Sequence, residues 1–314
     1  MSRPSLTIGT RGSRLAVAQT ELVAGLLRRA HPDLTVEVRT MVTQGDRQQQ
    51  KALPEIGGKG LFTAELEAAL LDGEIDLAVH SLKDLPTTMP DRLILAGVPV
   101  REDARDALVA SQGRELTDLP PDAVIGTSSL RRQAQLRRLR PDLRFTVLRG
   151  NVDTRLRKVL DEGRCDATVL AMAGLVRTGL ADRVTQILDL DQMTPACGQG
   201  ALALQARAGD DRVGTLLEPV HDERTFRAVQ CERHVLHALG GGCHAPIGVH
   251  ARAERGRLTC RAVVLDPDGR HHAEAVGEGP DDASDAVAGQ VVELLRDAGA
   301  DPILAACRRE AEGE

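Results

Sequence analysis

Leu6-Thr7-Ile8-Gly9-Thr10-Arg11-Gly12-Ser13 is the stretch on which the reading of the fold turns. Leu6 to Gly9 has the length and apolar character of a short buried strand, and Thr10-Arg11-Gly12-Ser13 turns the chain. Apolar residues then fall at Leu15, Ala18, Leu22, Val23, Leu26 and Leu27, the spacing of an amphipathic helix, with Ser13 where an N-cap belongs. Val36, Val38 and Thr40 alternate with polar neighbours, which predicts a second strand. Strand, helix and strand in this order predict an α/β sheet. The glycines do not form GxGxxG, so no dinucleotide site is expected. Arg11, at a strand-to-helix turn, reads either as a solvated charge or as an anion anchor beside a helix start.

Working outward, residues 43–60 are polar and glycine-studded and read as a loop. Gly58-Lys59 lacks both the following Ser/Thr and the GxxxxGK spacing of a phosphate loop. Leu61 to Leu71 reads as helix, Asp72-Gly73 as a turn and Ile75 to Val79 as a strand that delivers His80-Ser81-Leu82-Lys83-Asp84-Leu85-Pro86. Ligands of open α/β sheets bind beyond the C-terminal ends of strands. Asp84 is therefore either a carboxylate aimed at a ligand or the partner of an N-capping Ser81.

After Val98-Pro99-Val100 the chain is expected to cross to a second domain. Val124 to Gly126 is a strand, Thr127-Ser128-Ser129 a turn, and Leu130 to Leu139 a helix stopped by Pro141. Between Ser128 and Arg157 stand nine arginines against two acids, Asp142 and Asp153. Arg131 and Arg132 occupy the first helical turn, where the helix dipole disfavours cations. Folding gives no reason for that placement, whereas an anionic ligand at the helix start does. Val147 to Asn151 is expected to end another strand, followed by a helix from Asp153 to Leu160 with Arg155 and Arg157. Ala167 to Ala171 is a strand and Ala173 to Leu180 a helix carrying Arg177. Thr194 to Gly200 reads as a hinge and Ala201 to Leu204 as a return strand, so two crossings, near 100 and near 195, make the first domain discontinuous. Helix Arg224 to Leu239, strands Leu258–Leu265 and His271–Val276, and helix Ser284–Ala298 with Gly299 as C-cap complete a small α+β domain.

The last helix-to-strand connection is Leu239-Gly240-Gly241-Gly242-Cys243-His244-Ala245-Pro246. Three successive glycines let the backbone turn sharply, and Pro246 stiffens the far side. Cys243 is then either incidental to a tight turn or a thiol used covalently. Cys231, His234, His237, Cys243 and His244 match no common zinc spacing, and no metal is expected. A cysteine hydrolase would need a partnered histidine, for which His244 is the adjacent candidate.

The 314 residues suffice for two or three domains. A chain 42% apolar and 27% charged is globular, and no run approaches the length of a membrane span. Entry into a strand almost at once argues against a signal peptide. The six cysteines form no CxxC pair, as expected of a reducing cytosol. A net charge of -6 argues against general nucleic-acid binding, and with no Trp, no Tyr and three Phe there is no stacking platform.

Assembled, these stretches resemble the porphobilinogen deaminase (hydroxymethylbilane synthase) family of tetrapyrrole biosynthesis. The resemblance is carried by Ile8 to Ala16, Gly57 to Phe62, Val79 to Pro86, Ile125 to Arg132, Leu148 to Arg155, Gly198-Gln199-Gly200 and Gly241 to Gly248, in the family's order from about residue 6 to 250. Glu55 departs from a frequent lysine and Gly240 from a frequent acid; the tail after 250 matches only in type. The resemblance implies two periplasmic-binding-protein-like α/β domains around a cleft plus a small C-terminal α+β domain: 1–99 with 200–220, 100–199, and 221–314. It implies a cytoplasmic monomer whose partner is porphobilinogen, four molecules of which are joined head to tail with loss of ammonia, and no nucleic-acid or membrane partner. A dipyrromethane cofactor would be attached to Cys243 and bound by Lys83, Asp84, Thr127, Ser128, Ser129, Arg131, Arg132, Arg149 and Gly150. Substrate would be bound by Arg11, Ser13, Gln19, Lys59, Ser81, Arg149, Asn151, Arg155, Arg177 and Gln199, with Asp84 catalytic. The alternative is a two-lobed solute-binding or effector-sensing protein, which needs neither the cysteine loop nor the third domain.

Overall fold

The computed structural model describes residues 4–41, 63–240 and 245–312. It divides into two compact units, Met1–Glu102 with Gly200–Phe226, and Asp103–Gln199 with Arg227–Glu314.

In the first unit, β1 (Ser5–Arg11), α1 (Arg14–Ala30) and β2 (Thr35–Met41) form the opening β-α-β, with β1 parallel to β2 along its whole length. Helix α2 (Ala64–Leu71) leads to β3 (Leu77–Ser81), parallel to β1 on its other side. Strands β4 (Leu93–Gly97) and β10 (Leu202–Arg207) complete a five-stranded sheet in the order β2-β1-β3-β10-β4. The β3 strand starts and ends two residues later than the apolar run suggests. Its end is held by β10, whose Leu202 and Ala203 pair antiparallel with Ser81 and His80. Leu6, Ile8, Val23, Leu27, Leu77 and Leu204 are buried together; each fully buried leucine stabilises by roughly 1.5–3 kcal/mol. Gly9 is required by close approach, since a Cβ there would lie 2.4 Å from Ile75 Cδ1 and 2.9 Å from Leu66 Cδ2.

The second unit repeats the plan. Its sheet contains β5 (Asp106–Ala110), β6 (Val124–Gly126), β7 (Arg144–Thr146), β8 (Ala167–Ala171) and β9 (Gln186–Leu188), in the order β7-β6-β8-β5-β9. Helix α3 (Leu130–Leu139) follows β6, α4 (Val152–Leu160) follows β7 and α5 (Met172–Arg177) follows β8. Here too the second strand of the order, β6, is parallel to both neighbours, and β5 runs antiparallel beside β8. The strand expected to end at 147–151 ends at Thr146 instead, leaving Val147 to Asn151 as a connection.

Beyond α6 (Asp211–Leu217) and α7 (Glu223–Ala238), a three-stranded antiparallel sheet is built from β11 (Ile247–Glu254), β12 (Arg257–Leu265) and β13 (His272–Pro280). Helices α8 (Ser284–Asp297) and α9 (Ala300–Glu312) follow. Val235, Val249, Leu258, Val264, Val291 and Leu295 form its core. The fold class is thus the expected one, two α/β sheets of one topology and a small α+β element. Among the described residues no helix is long and apolar enough to cross a membrane.

Candidate active site

Because β1 and β3 are parallel neighbours, the turns that follow them open at the same sheet edge. Ser13 Oγ accepts from Ala16 N at 3.2 Å and caps α1, which fixes the turn carrying Arg11. Gln19, on the second turn of α1, is buried and donates from Nε2 to Ser81 Oγ at 2.8 Å. A pocket of about 60 Å³ forms here, lined by Arg11, Ser13, Gln19, His80, Ser81 and Asp84 among others. Asp84 closes a single 3-10 turn, Leu82–Asp84. Ser81 sits at the N-cap position of that turn but makes no side-chain cap bond, so the capping box that the sequence allowed is not formed. Asp84 is exposed, as is Lys83 beside it. Lys59, Glu55 and Cys243 lie outside the described residues.

His80 is a pocket residue that the sequence reading did not assign. Gln205 donates from Nε2 to Glu67 Oε1 at 3.1 Å, which turns its Oε1 toward His80. The proton of the neutral imidazole therefore sits on Nε2, which donates to Gln205 Oε1 at 3.0 Å. Burial pulls the His80 pKa down to about 4; the Gln205 bond opposes this and the Arg11 charge adds to it. The unfolded chain binds a proton near pH 6.5 that the folded chain refuses until about pH 4. Stability is thus complete above pH 6.5 and falls by about 3 kcal/mol as the pH drops to 4. Thermal melts across this window should show that loss, and His80→Gln should flatten it.

The second unit carries the rest of the expected site. Gly126 must be glycine, since a Cβ would meet Cys165 Sγ at 2.5 Å. Thr127 Oγ1 then accepts from Ser129 N at 3.2 Å, Ser128 Oγ donates to Leu148 O at 3.0 Å, and Ser129 caps α3 by accepting from Arg132 N. These bonds join the starts of two strand-to-helix connections. In the second of them, Arg155 donates from Nε to Gly150 O at 2.8 Å, and Asn151 stands at the N-cap of α4 without a side-chain cap bond. Arg149 and Arg155 are half-buried, as is Arg177 at the end of α5.

Arg131 and Arg132 correct one premise. Folding does account for their placement, because both converge on Asp106 at the start of β5, a residue that is 0% exposed. Arg131 Nη2 lies 2.8 Å from Asp106 Oδ2, and Arg132 donates to Oδ1 from Nη2 at 2.7 Å and from Nε at 3.2 Å. Arg131 also donates to Thr194 O at 2.7 Å. Gln199 belongs to the same cluster, donating from Nε2 to Asp106 Oδ1 at 2.9 Å and to Ala104 O at 2.8 Å. Burial pushes the Asp106 carboxyl up, but the two guanidinium charges outweigh it and hold the group well below the usual carboxylate range. The cluster is therefore one anion against two cations, and its surplus positive charge stands at the N-terminus of α3. Such a site suits an anion. Asp106 is 25 residues before Arg131, and no local signal in the sequence pairs them.

The sequence profile of the dipyrromethane-cofactor-binding domain of porphobilinogen deaminase matches residues 6–215, and that of the C-terminal domain matches residues 226–295. A porphobilinogen deaminase of Syntrophotalea carbinolica is 49% identical over 306 residues, covering 98% of this chain and 97% of the relative. One of Gloeobacter violaceus is 49% identical over 309 residues, covering 97% and 94%. Among solved structures, the BenM effector-binding domain with its effector benzoate aligns at 16% identity with a TM-score of 0.43, covering 70% of this chain and 91% of that one. With both domain profiles matched in order and near half of all positions shared over almost its whole length, the chain belongs to the porphobilinogen deaminase family.

Proposed function

We propose that the pocket of the first unit is where this chain handles porphobilinogen, with Asp84 as its working carboxylate. The chain is a transferase of tetrapyrrole biosynthesis that joins four porphobilinogen molecules head to tail, with loss of ammonia, and releases hydroxymethylbilane by hydrolysis. The observation that carries the assignment is chemical contrast. An exposed carboxylate with no capping function stands in a pocket whose other polar groups include Arg11, Ser13, Gln19 and Ser81, which are suited to binding carboxylates. Arg11 and the hydroxyls hold an acid side arm of the substrate. Asp84 gives a proton to the leaving amine and then balances positive charge at the pyrrole nitrogen. Asp84→Asn tests the role directly.

The cofactor is dipyrromethane. Its pyrroles carry acid side chains, and the residues of the second unit fit such a group. Arg131 and Arg132 leave net positive charge beside a helix start, and Arg149, Gly150 and Asn151 form the next strand-to-helix turn, onto which Arg155 of α4 folds back. When bound, the group supplies the pyrrole position to which the first substrate is joined. Thr127, Ser128 and Ser129 set the entry to α3, Lys83 is a further cofactor-binding residue, Lys59 binds substrate, and Arg177 adds positive charge for the growing chain. Cys243 is the attachment point. The intact mass of the denatured wild-type chain should exceed the sequence mass by a two-pyrrole adduct, and Cys243→Ala should lack it. An unmodified mass in active wild-type protein would remove the attachment.

The same reading has the chain working as a cytoplasmic monomer that engages neither nucleic acid nor membrane, supported by its net charge of -6 and lack of Trp and Tyr. It treats 1–99 with 200–220, 100–199, and 221–314 as three domains, supported by three separate sheets.

A further inference from the structure

Thr63 precedes α2 at the N-cap position, where a threonine hydroxyl ordinarily accepts from a backbone N–H in the first turn. It makes no such bond. The residue is 1% exposed, and among the described residues its Oγ1 has no hydrogen-bond partner. A buried hydroxyl left in this state costs folding free energy, and a bound acceptor would supply the bond that it lacks. Position points to such an acceptor, because Thr63 lines the same pocket as Arg11, Gln19, Ser81 and Asp84. The other pocket hydroxyls have structural tasks. Ser13 caps α1 and Ser81 accepts from Gln19.

We propose that Thr63 is a substrate-binding residue whose hydroxyl donates to a carboxylate arm of porphobilinogen, on the same group that Arg11 attracts. This rests on the reading of the pocket as the substrate site. Chemistry selects the acid arm, because the lining sets the Arg11 cation beside the neutral hydroxyl and amide groups of Ser13, Gln19, Thr63 and Ser81. A carboxylate entering such a space loses water and needs more than one donor in return. Arg11 supplies charge at the rim, and Thr63 supplies a neutral donor from the buried wall, where low local dielectric strengthens the bond.

Thr63→Val keeps the shape and removes the hydroxyl, and Thr63→Ser restores it. In the cofactor-loaded enzyme, Thr63→Val should raise KM for porphobilinogen about tenfold or more, the loss expected for a hydrogen bond to a charged group. Its kcat should stay within about twofold of wild type, because the contact is made before and during reaction alike. Its Tm should be unchanged or higher, since the unpartnered polar atom is gone, and Thr63→Ser should return KM to the wild-type range. Unchanged KM in Thr63→Val overturns the proposal, as does a raised KM that comes with a lowered Tm and is not rescued by serine. Asp84→Asn run alongside separates the two levels. If it is inactive while Thr63→Val is silent, only the role of Thr63 falls; if it turns over normally and Thr63→Val is also silent, the pocket is not the substrate site and both fall.

Discussion

Asp84→Asn lowers turnover by about 10²–10⁴-fold while the protein melts at nearly the wild-type temperature. The magnitude is that of a lost general acid with its counter-charge. Asparagine keeps the size and one side-chain acceptor oxygen, but it can neither give up a proton at neutral pH nor carry negative charge. A capping role predicts the reverse pattern, about 0.5–2 kcal/mol of stability lost with little effect on chemistry. The structure already weakens that alternative, because the 3-10 turn Leu82–Asp84 has no side-chain cap and Ser81 is engaged by Gln19. Rate of ammonia release and Tm, measured on the same preparation, decide between them. A variant of normal turnover and reduced Tm would place the working acid elsewhere.

Asp106→Ala should be the most destabilising single change in the second unit. It leaves Arg131 and Arg132, each 6% exposed, facing each other without the anion that both touch. Removing one partner from a buried ion pair costs about 3–5 kcal/mol, because the remaining charge stays desolvated. At roughly 2–4 °C per kcal/mol for a unit of this size, the melt should fall by about 10 °C. The folded-state pKa of Asp106 is depressed, so its contribution is complete above the ordinary carboxylate range near pH 4 and is lost only as the pH falls below it. This separates it from the His80 effect, which is spent between pH 6.5 and 4. Replacing Asp106, Arg131 and Arg132 together by leucine should recover much of the stability, as apolar substitutes for buried ion clusters often do. That triple variant should nonetheless show no dipyrromethane mass, since it lacks the surplus charge. Recovered stability with a full adduct would mean that the arginines serve the fold alone.

What was legible from sequence divides along the range of the interactions. The opening strand, the helix behind Ser13, the helix from Leu130 to Leu139 and the strand from Ala167 to Ala171 were all readable, because apolar spacing and caps act within a few residues. The candidate site was legible as a set of turns, since Arg11, Ser81 and Asp84 follow strands of recognisable pattern. Elements with weak local signal were not read, among them β5 and the terminal helix α9. Strand ends also shifted where a distant partner decides them, as β10 does for Ser81.

The sequence by itself determined the class of fold, the family and the inventory of charged and nucleophilic side chains. Only tertiary structure decided what each of them touches. The apparent excess of arginine at the start of α3 proved to be two cations sharing one carboxylate that arrives from 25 residues upstream on another strand. The neutral state of His80 depends on Gln205 and Glu67, brought to it by an antiparallel strand from far along the chain and by a helix before it. Thr63, which the sequence places inside a helix starting at Leu61, stands instead at the N-cap of α2 without a cap bond and lines the pocket. Periodicity records which face of an element is apolar; strand order and side-chain pairing across long separations depend on how those faces meet, and no local pattern encodes that.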